Sequence, residues 1–143
     1  RIKDLSPLVG LSLEALSCNE TLVEDLSPLK GMRLAELEAA KTPLSSIVAL
    51  ANMPLQKVIL SHTRVTDLEP LRNSPLRELH VQGIPPTALI ALRGLPVEIL
   101  YADQPRGFMG GFEIWRLFPD LKEFNGQPVF HQQGQGNRRP FER

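Results

Sequence analysis

Apolar residues return at fixed places along this chain, once every 21 residues. Asp4-Leu5-Ser6-Pro7-Leu8 recurs as Asp25-Leu26-Ser27-Pro28-Leu29. It then recurs in altered form as Ser46-Ile47-Val48-Ala49-Leu50, Asp67-Leu68-Glu69-Pro70-Leu71 and Ala88-Leu89-Ile90-Ala91-Leu92. Counting the Asp4-type residue as position 1, position 13 is Leu16, Leu37, Val58, Leu79 and Leu100. Position 15 is Cys18, Ala39, Leu60, Val81 and Ala102. Positions 2, 5 and 10 are apolar in all five copies. Positions 13 and 15 alternate with largely polar positions 12 and 14, the spacing of a strand with one buried side. Each repeat therefore predicts one short strand. Stacked copies would align their strands in a parallel sheet, about 4.8 Å apart. A period of this length signals a solenoid. The expected fold is an α/β repeat solenoid, right-handed, with strands centred near Leu16, Leu37, Val58, Leu79 and Leu100 and a sixth near Leu121.

Opposite the strand, Ser-Pro-Leu-x-Gly predicts one tight turn of helix. Ser27 is expected to cap its free amides, and Pro28 suits the first helical position because it has no N–H to lose. Gly31 is expected to end the turn in a left-handed conformation. Pro54, Pro75 and Pro96 at position 9 keep the chain extended before the next strand. A 21-residue unit leaves little room for a full helix, so short 3₁₀ or single-turn elements are expected there.

The segments Leu34-Ala35-Glu36-Leu37-Glu38-Ala39 and Leu76-Arg77-Glu78-Leu79-His80-Val81 resemble the leucine-rich repeat pattern L-x-x-L-x-L. The endings Thr21-Leu22-Val23, Thr42-Pro43-Leu44 and Thr63-Arg64-Val65 resemble the short bacterial type found in internalins. Asp25-Leu26-Ser27-Pro28-Leu29-Lys30-Gly31-Met32 looks like arrays attached to planctomycete-type serine/threonine kinases. The resemblance covers about residues 2 to 107. It implies a parallel sheet on a concave side and short turns on a convex side. The family's Asn near position 18 is Thr here. Repeats four and five depart further, with Ile84-Pro85-Pro86 and Pro105-Arg106-Gly107.

The boundaries follow from the register and the composition. Residues 1–107 hold five repeats, and Arg1-Ile2-Lys3 fills positions 19 to 21 of a preceding one, so the array is expected to continue N-terminal of residue 1. All eight aromatic residues lie from Tyr101 onward. Residues 108–130 predict a C-terminal cap: a short helix over Phe112–Leu117, a partial sixth repeat with Phe118 and Leu121 at positions 10 and 13, and a turn at Asn125-Gly126-Gln127-Pro128. Its rings would cover the end of the leucine core; the alternative is an aromatic ligand pocket. Residues 131–143, rich in Gln, Gly and Arg, predict an extended tail.

Charge and chemistry narrow the function. Sixteen basic and sixteen acidic residues give a net charge of zero, which argues against a nucleic-acid binder. The single cysteine, Cys18, sits in an apolar position and reads as a small buried hydrophobe rather than a reactive thiol. It can form no internal disulfide, and a cytoplasmic location is expected. No apolar run approaches the roughly 20 residues that span a membrane. No catalytic motif, cofactor-binding motif or metal-ligand spacing is present, so no enzyme activity, no cofactor and no metal are expected. His62 and His80 fall too far apart on adjacent strands to share an ion, and read as solvated surface residues.

The outward sheet positions remain. Position 14 runs Ser17, Glu38, Ile59, His80, Tyr101, and position 12 runs Ala15, Glu36, Lys57, Glu78, Ile99. Glu36, Lys57 and Glu78 alternate in sign and are expected to form a cross-strand ladder. Ile59, His80, Tyr101 and Ile99 would form an exposed apolar and aromatic patch, the kind of surface enriched at binding sites. With Lys57, Arg77, Glu36 and Glu38 as its rim, this patch is the candidate site for a protein or peptide partner. The leading expectation is a protein-binding module of a larger bacterial protein. The alternatives are an accessory domain that recruits substrates for a signalling enzyme such as a kinase, and a passive spacer.

Overall fold

A computed structural model describes residues 1–103 and 114–129. Seven strands form one sheet in chain order: β1 Ala15–Ser17, β2 Glu36–Glu38, β3 Lys57–Ile59, β4 Glu78–His80, β5 Ile99–Tyr101, β6 Glu123–Phe124 and β7 Gln127–Pro128. Strands β1 to β6 run parallel, and β7 turns back antiparallel. The register places Leu16, Leu37, Val58, Leu79 and Leu100 opposite one another in one row. The five strand centres expected from the period are the ones found.

Between strands, Ser6–Leu8, Ser27–Leu29, Val48–Leu50, Glu69–Leu71 and Pro86–Leu92 are 3₁₀ segments. Prolines in the first turn suit four of the five. Gly31 has φ +83°, as the turn requires, and Asn52 takes the same role in the next repeat at φ +63°.

The cap of these turns is not the expected serine. Asp25 Oδ1 accepts from the Ser27 backbone N–H at 2.8 Å, and Asp25 Oδ2 accepts from the Ser27 hydroxyl at 2.8 Å. Asp4 holds Ser6 in the same way, and Asp67 holds the Glu69 amide at 3.0 Å. A carboxylate two residues upstream is a charged acceptor and outcompetes a hydroxyl, which then donates to it. The Ser6 hydroxyl and amide lower the Asp4 pKa; the Ser27 amide and hydroxyl lower that of Asp25. A carboxylate whose folded pKa is depressed stabilises the protein above its unfolded value, near 3.9, and loses that contribution as pH falls through the folded value. Denaturation midpoints should therefore drop between about pH 5 and pH 2, and Asp4→Asn with Asp25→Asn should flatten that drop. An identical acid profile in the double variant would count against these bonds.

Two further positions have structural roles. At position 17, Glu20, Lys41, His62 and Gly83 all have positive φ (59°, 57°, 61° and 86°), so repeats one to four turn sharply after their strands. At position 18, the hydroxyls of Thr21, Thr42 and Thr63 donate to the carbonyls of Cys18, Ala39 and Leu60 at 2.7, 2.9 and 2.8 Å. Threonine here satisfies a carbonyl that leaves the ladder at the strand end. In repeat four the position is Ile84, buried instead.

Positions 2, 5, 10, 13 and 15 fill one continuous core from repeat two onward. In repeat one, Leu8, Leu13 and Leu16 are only partly buried, and Ile2, Val9, Leu11 and Leu22 are exposed. The Leu22 amide donates to the Ile2 carbonyl at 2.8 Å, as the Arg64 amide does to Leu44 at 2.8 Å, so Ile2 stands at position 20 of the register.

The sixth strand lies three residues beyond its expected place. Leu100 pairs with Phe124, 24 residues on, rather than with Leu121. Leu121 takes position 10, Phe124 takes position 13, and Phe118 lies fully buried before them. Both Phe118-x-x-Leu121 and Leu121-x-x-Phe124 satisfy the spacing. The backbone selects the second: the Lys122 and Glu123 amides share the Glu98 carbonyl (2.8 and 3.0 Å), as Arg77 and Glu78 share that of Gln56 (2.8 and 3.0 Å). The extra residues belong to a longer connection containing the short helix α1, Ile114–Leu117. Asn125 and Gly126, at φ 50° and 80°, form the two-residue hairpin between β6 and β7. The Asn125 side chain closes the sheet beside them, accepting from the Ala102 N–H (3.0 Å) and donating to its carbonyl (2.9 Å).

Ile114, Leu117, Phe118, Leu121, Phe124 and Val129 join the leucine core. Phe118 and Phe124 are buried within that core. Residues 108–113 and 130 of the expected cap, the Trp115 side chain within its helix, and the expected tail over 131–143 fall outside the described residues. Among the described residues, no helix is long and apolar enough to cross a membrane.

Candidate functional surface

Because the strand period is two, burying position 13 turns positions 12 and 14 outward. On β3 to β5 these are Lys57 and Ile59, Glu78 and His80, and Ile99 and Tyr101, all half-buried. Register sets Ile59 beside His80 and His80 beside Tyr101; Ile99 lies between Glu78 and Glu123. The four apolar and aromatic members of the predicted patch are therefore brought together.

The rings are held in place. His80 and Tyr101 stack with centroids 4.4 Å apart and planes 19° from parallel. His80 Nε2 lies 2.8 Å from Glu78 Oε1, and the Tyr101 hydroxyl donates to Glu123 Oε1 at 3.1 Å. The bond to Glu123, aided by burial, pushes the Tyr101 phenol pKa up. His80 is not the solvated histidine expected from its spacing. Its neighbour across the ladder is a ring, and stacking removes one face from water. His62 does sit exposed, at the left-handed turn after β3.

The rim differs from the expected ladder. Lys57 does not pair straight across with Glu36 or Glu78. Its ammonium lies 3.6 Å from Glu38 Oε2, on the diagonal, and Glu38 Oε1 accepts from Asn19 at 3.0 Å. A lysine stem is long enough to choose its carboxylate, so direct opposition does not decide the pair. Arg77 Nη1 and Lys122 Nζ each lie 2.6 Å from an oxygen of Glu98. Lys122 in the first place holds the Glu98 carboxyl below the usual range. Glu36 stands exposed on β2, apart from the rings.

Glu78, Glu98 and Glu123 were absent from the candidate set, yet they position the rings and the rim cations. Glu98 shares position 11 with Arg77, and that adjacency was legible. Glu123 entered the site only through the shifted sixth strand. The arrangement offers a stiff, half-exposed strip of two aliphatic and two ring side chains, bordered by charge. Two of the rings' polar atoms, His80 Nε2 and the Tyr101 hydroxyl, are engaged by carboxylates. Among the described residues, no three His, Cys, Asp or Glu side chains gather as metal ligands. Cys18 is buried, and burial raises its thiol pKa, which suppresses the reactive thiolate. Compared with known proteins, the chain matches no family model and has no significant match among curated proteins.

Proposed function

We propose that this chain is a right-handed leucine-rich repeat solenoid that binds a protein partner on its outward sheet face and carries no chemistry of its own. The observation that carries this reading is the strip of Ile59, His80, Tyr101 and Ile99. Its members stand on three adjacent strands, half-exposed, while the alternate residues of those strands are fully buried. Apolar and ring side chains at outward positions contribute nothing to the inner core, and Tyr supplies a large contact with one polar tip. Fixing them by stacking and by carboxylates lowers the ordering cost that binding would otherwise carry. The 21-residue unit and its L-x-x-L-x-L segments support the family reading. In such an array the partner meets an extended surface rather than a pocket.

The test is a double variant, Ile59→Ala with Tyr101→Ala. Its melting temperature should fall by less than about 5 °C. Capture of the native partner should weaken at least about tenfold, equivalent to about 1.4 kcal/mol. A double variant that folds and still captures the partner fully would place the working surface elsewhere.

A further inference from the structure

The zero net charge hides a division of charge between two faces. At outward positions 11, 12 and 14 of β1 to β6 stand six carboxylates (Glu14, Glu36, Glu38, Glu78, Glu98, Glu123) against three cations (Lys57, Arg77, Lys122). Positions 6 to 10, the turns after the 3₁₀ segments, contain no acidic residue in any of the five repeats and carry Lys30, Arg33, Arg72 and Arg93. The counted sheet positions are thus net acidic and positions 6 to 10 net basic, although Arg72 there pairs with Glu69.

Pairing sharpens this asymmetry. All three cations of the sheet face are already engaged by its own carboxylates: Lys57 by Glu38, and Arg77 and Lys122 by Glu98. The reverse does not hold. Among the described residues, Glu36 and Glu14 have no cation within ion-pair distance. Glu78 meets the His80 ring through Oε1, and Glu123 meets the Tyr101 hydroxyl through Oε1. Each of those two carboxylates keeps a second oxygen beside the ring pair. Arg77 and Lys122 share the one Glu98 carboxylate, so the excess of acceptors lies at Glu36, Glu78 and Glu123, around the apolar centre. With six carboxylates against three cations, the face disfavours an acidic segment or a phosphate backbone.

We propose that the occupant of this face is a Lys- or Arg-bearing segment of a partner protein. Its apolar side chains lie on Ile59, Ile99 and the ring pair, and its cations meet Glu36, Glu78 and Glu123. This rests on the reading of the sheet face as the protein-binding surface. It adds which partner chemistry the face accepts.

Two synthetic peptides of equal length and apolar content test it, one with Arg and one with Glu at alternate positions, titrated into the ¹⁵N-labelled protein. At about 0.15 M salt, the Arg peptide should bind at least about tenfold more tightly than the Glu peptide. It should shift the amides of Lys57–Ile59, Glu78–His80 and Ile99–Tyr101, and its affinity should fall as salt is raised. Glu36→Gln with Glu123→Gln should cut that affinity severalfold at unchanged melting temperature, since glutamine can still accept from Tyr101. Equal or tighter binding of the Glu peptide at those amides would overturn the inference and leave the face a protein-binding surface. Failure of both peptides to shift those amides would also overturn it, while capture by the Ile59 and Tyr101 variants would decide the broader reading separately.

Discussion

Leu79→Ala is expected to destabilise the protein by about 2–5 kcal/mol. Leu79 is fully buried at the inward position of β4, with Val58 on one side and Leu100 on the other. Removing its side chain loses the transfer energy of the deleted methyl groups and leaves a cavity. The cavity closes poorly, because both neighbouring strands are fixed by their own ladders. Leu37→Ala should behave alike for the same reason. Glu38→Ala, the next residue but outward, loses one partly exposed ion pair and the exposed hydrogen bond from Asn19, and should cost less than about 1 kcal/mol. Chemical denaturation of the three variants checks this. Equal losses at Leu37 and Glu38 would mean that inward and outward positions have been exchanged.

Phe118→Ala should cost about 3–5 kcal/mol. Among the described residues Phe118 is the largest fully buried side chain, and it lies between α1 and the sixth strand. Its amide donates to the Ile114 carbonyl (3.3 Å) and its carbonyl accepts from the Leu121 amide (3.1 Å), which fixes the ring within the segment, while the Gly94 amide donates to the Leu117 carbonyl (2.7 Å) and ties the segment to repeat five. Repeats one to five each have a following strand to cover them. The last layer depends on this segment, so loss of the ring should loosen β6 and β7 before the rest. A lowered denaturant slope alongside the lowered midpoint would report that loss of cooperativity. Phe118→Leu, which keeps most of the volume, should recover much of the stability. An alanine variant as stable as the parent would refute the capping role.

Much of the fold is legible in the chain because a repeat states each requirement five times. Position 13 is Leu or Val in every copy, so one error in reading Leu16 would be corrected by Leu37, Val58, Leu79 and Leu100. Where the repetition stops, so does that protection. The sixth strand has two residue pairs with the right spacing, and the shared Glu98 carbonyl distinguishes them. Local polar choices were also hidden, because Asp25 and Ser27 both have capping chemistry and their relative acceptor strength decides which one acts. The same holds at the surface. Ile59, His80 and Tyr101 were found as a column because alternation places them. The pairs of Lys57 with Glu38 and of Tyr101 with Glu123 depend on side-chain reach and on the shifted strand. Charge segregation was masked by the sum itself, since opposite charges on different faces cancel in a total.

The central claim, that the outward sheet face is the working surface, is tested most directly by two substitutions of the same chemistry on opposite sides. Ile59 is half-buried on β3, whereas Val48 is 69% exposed on the turn side of the same repeat. Capture of the native partner by Ile59→Arg and by Val48→Arg should be compared, with melting temperatures confirming that both are folded. Capture should fall at least about tenfold for Ile59→Arg and stay unchanged for Val48→Arg. Full capture by Ile59→Arg together with loss in Val48→Arg would contradict the claim.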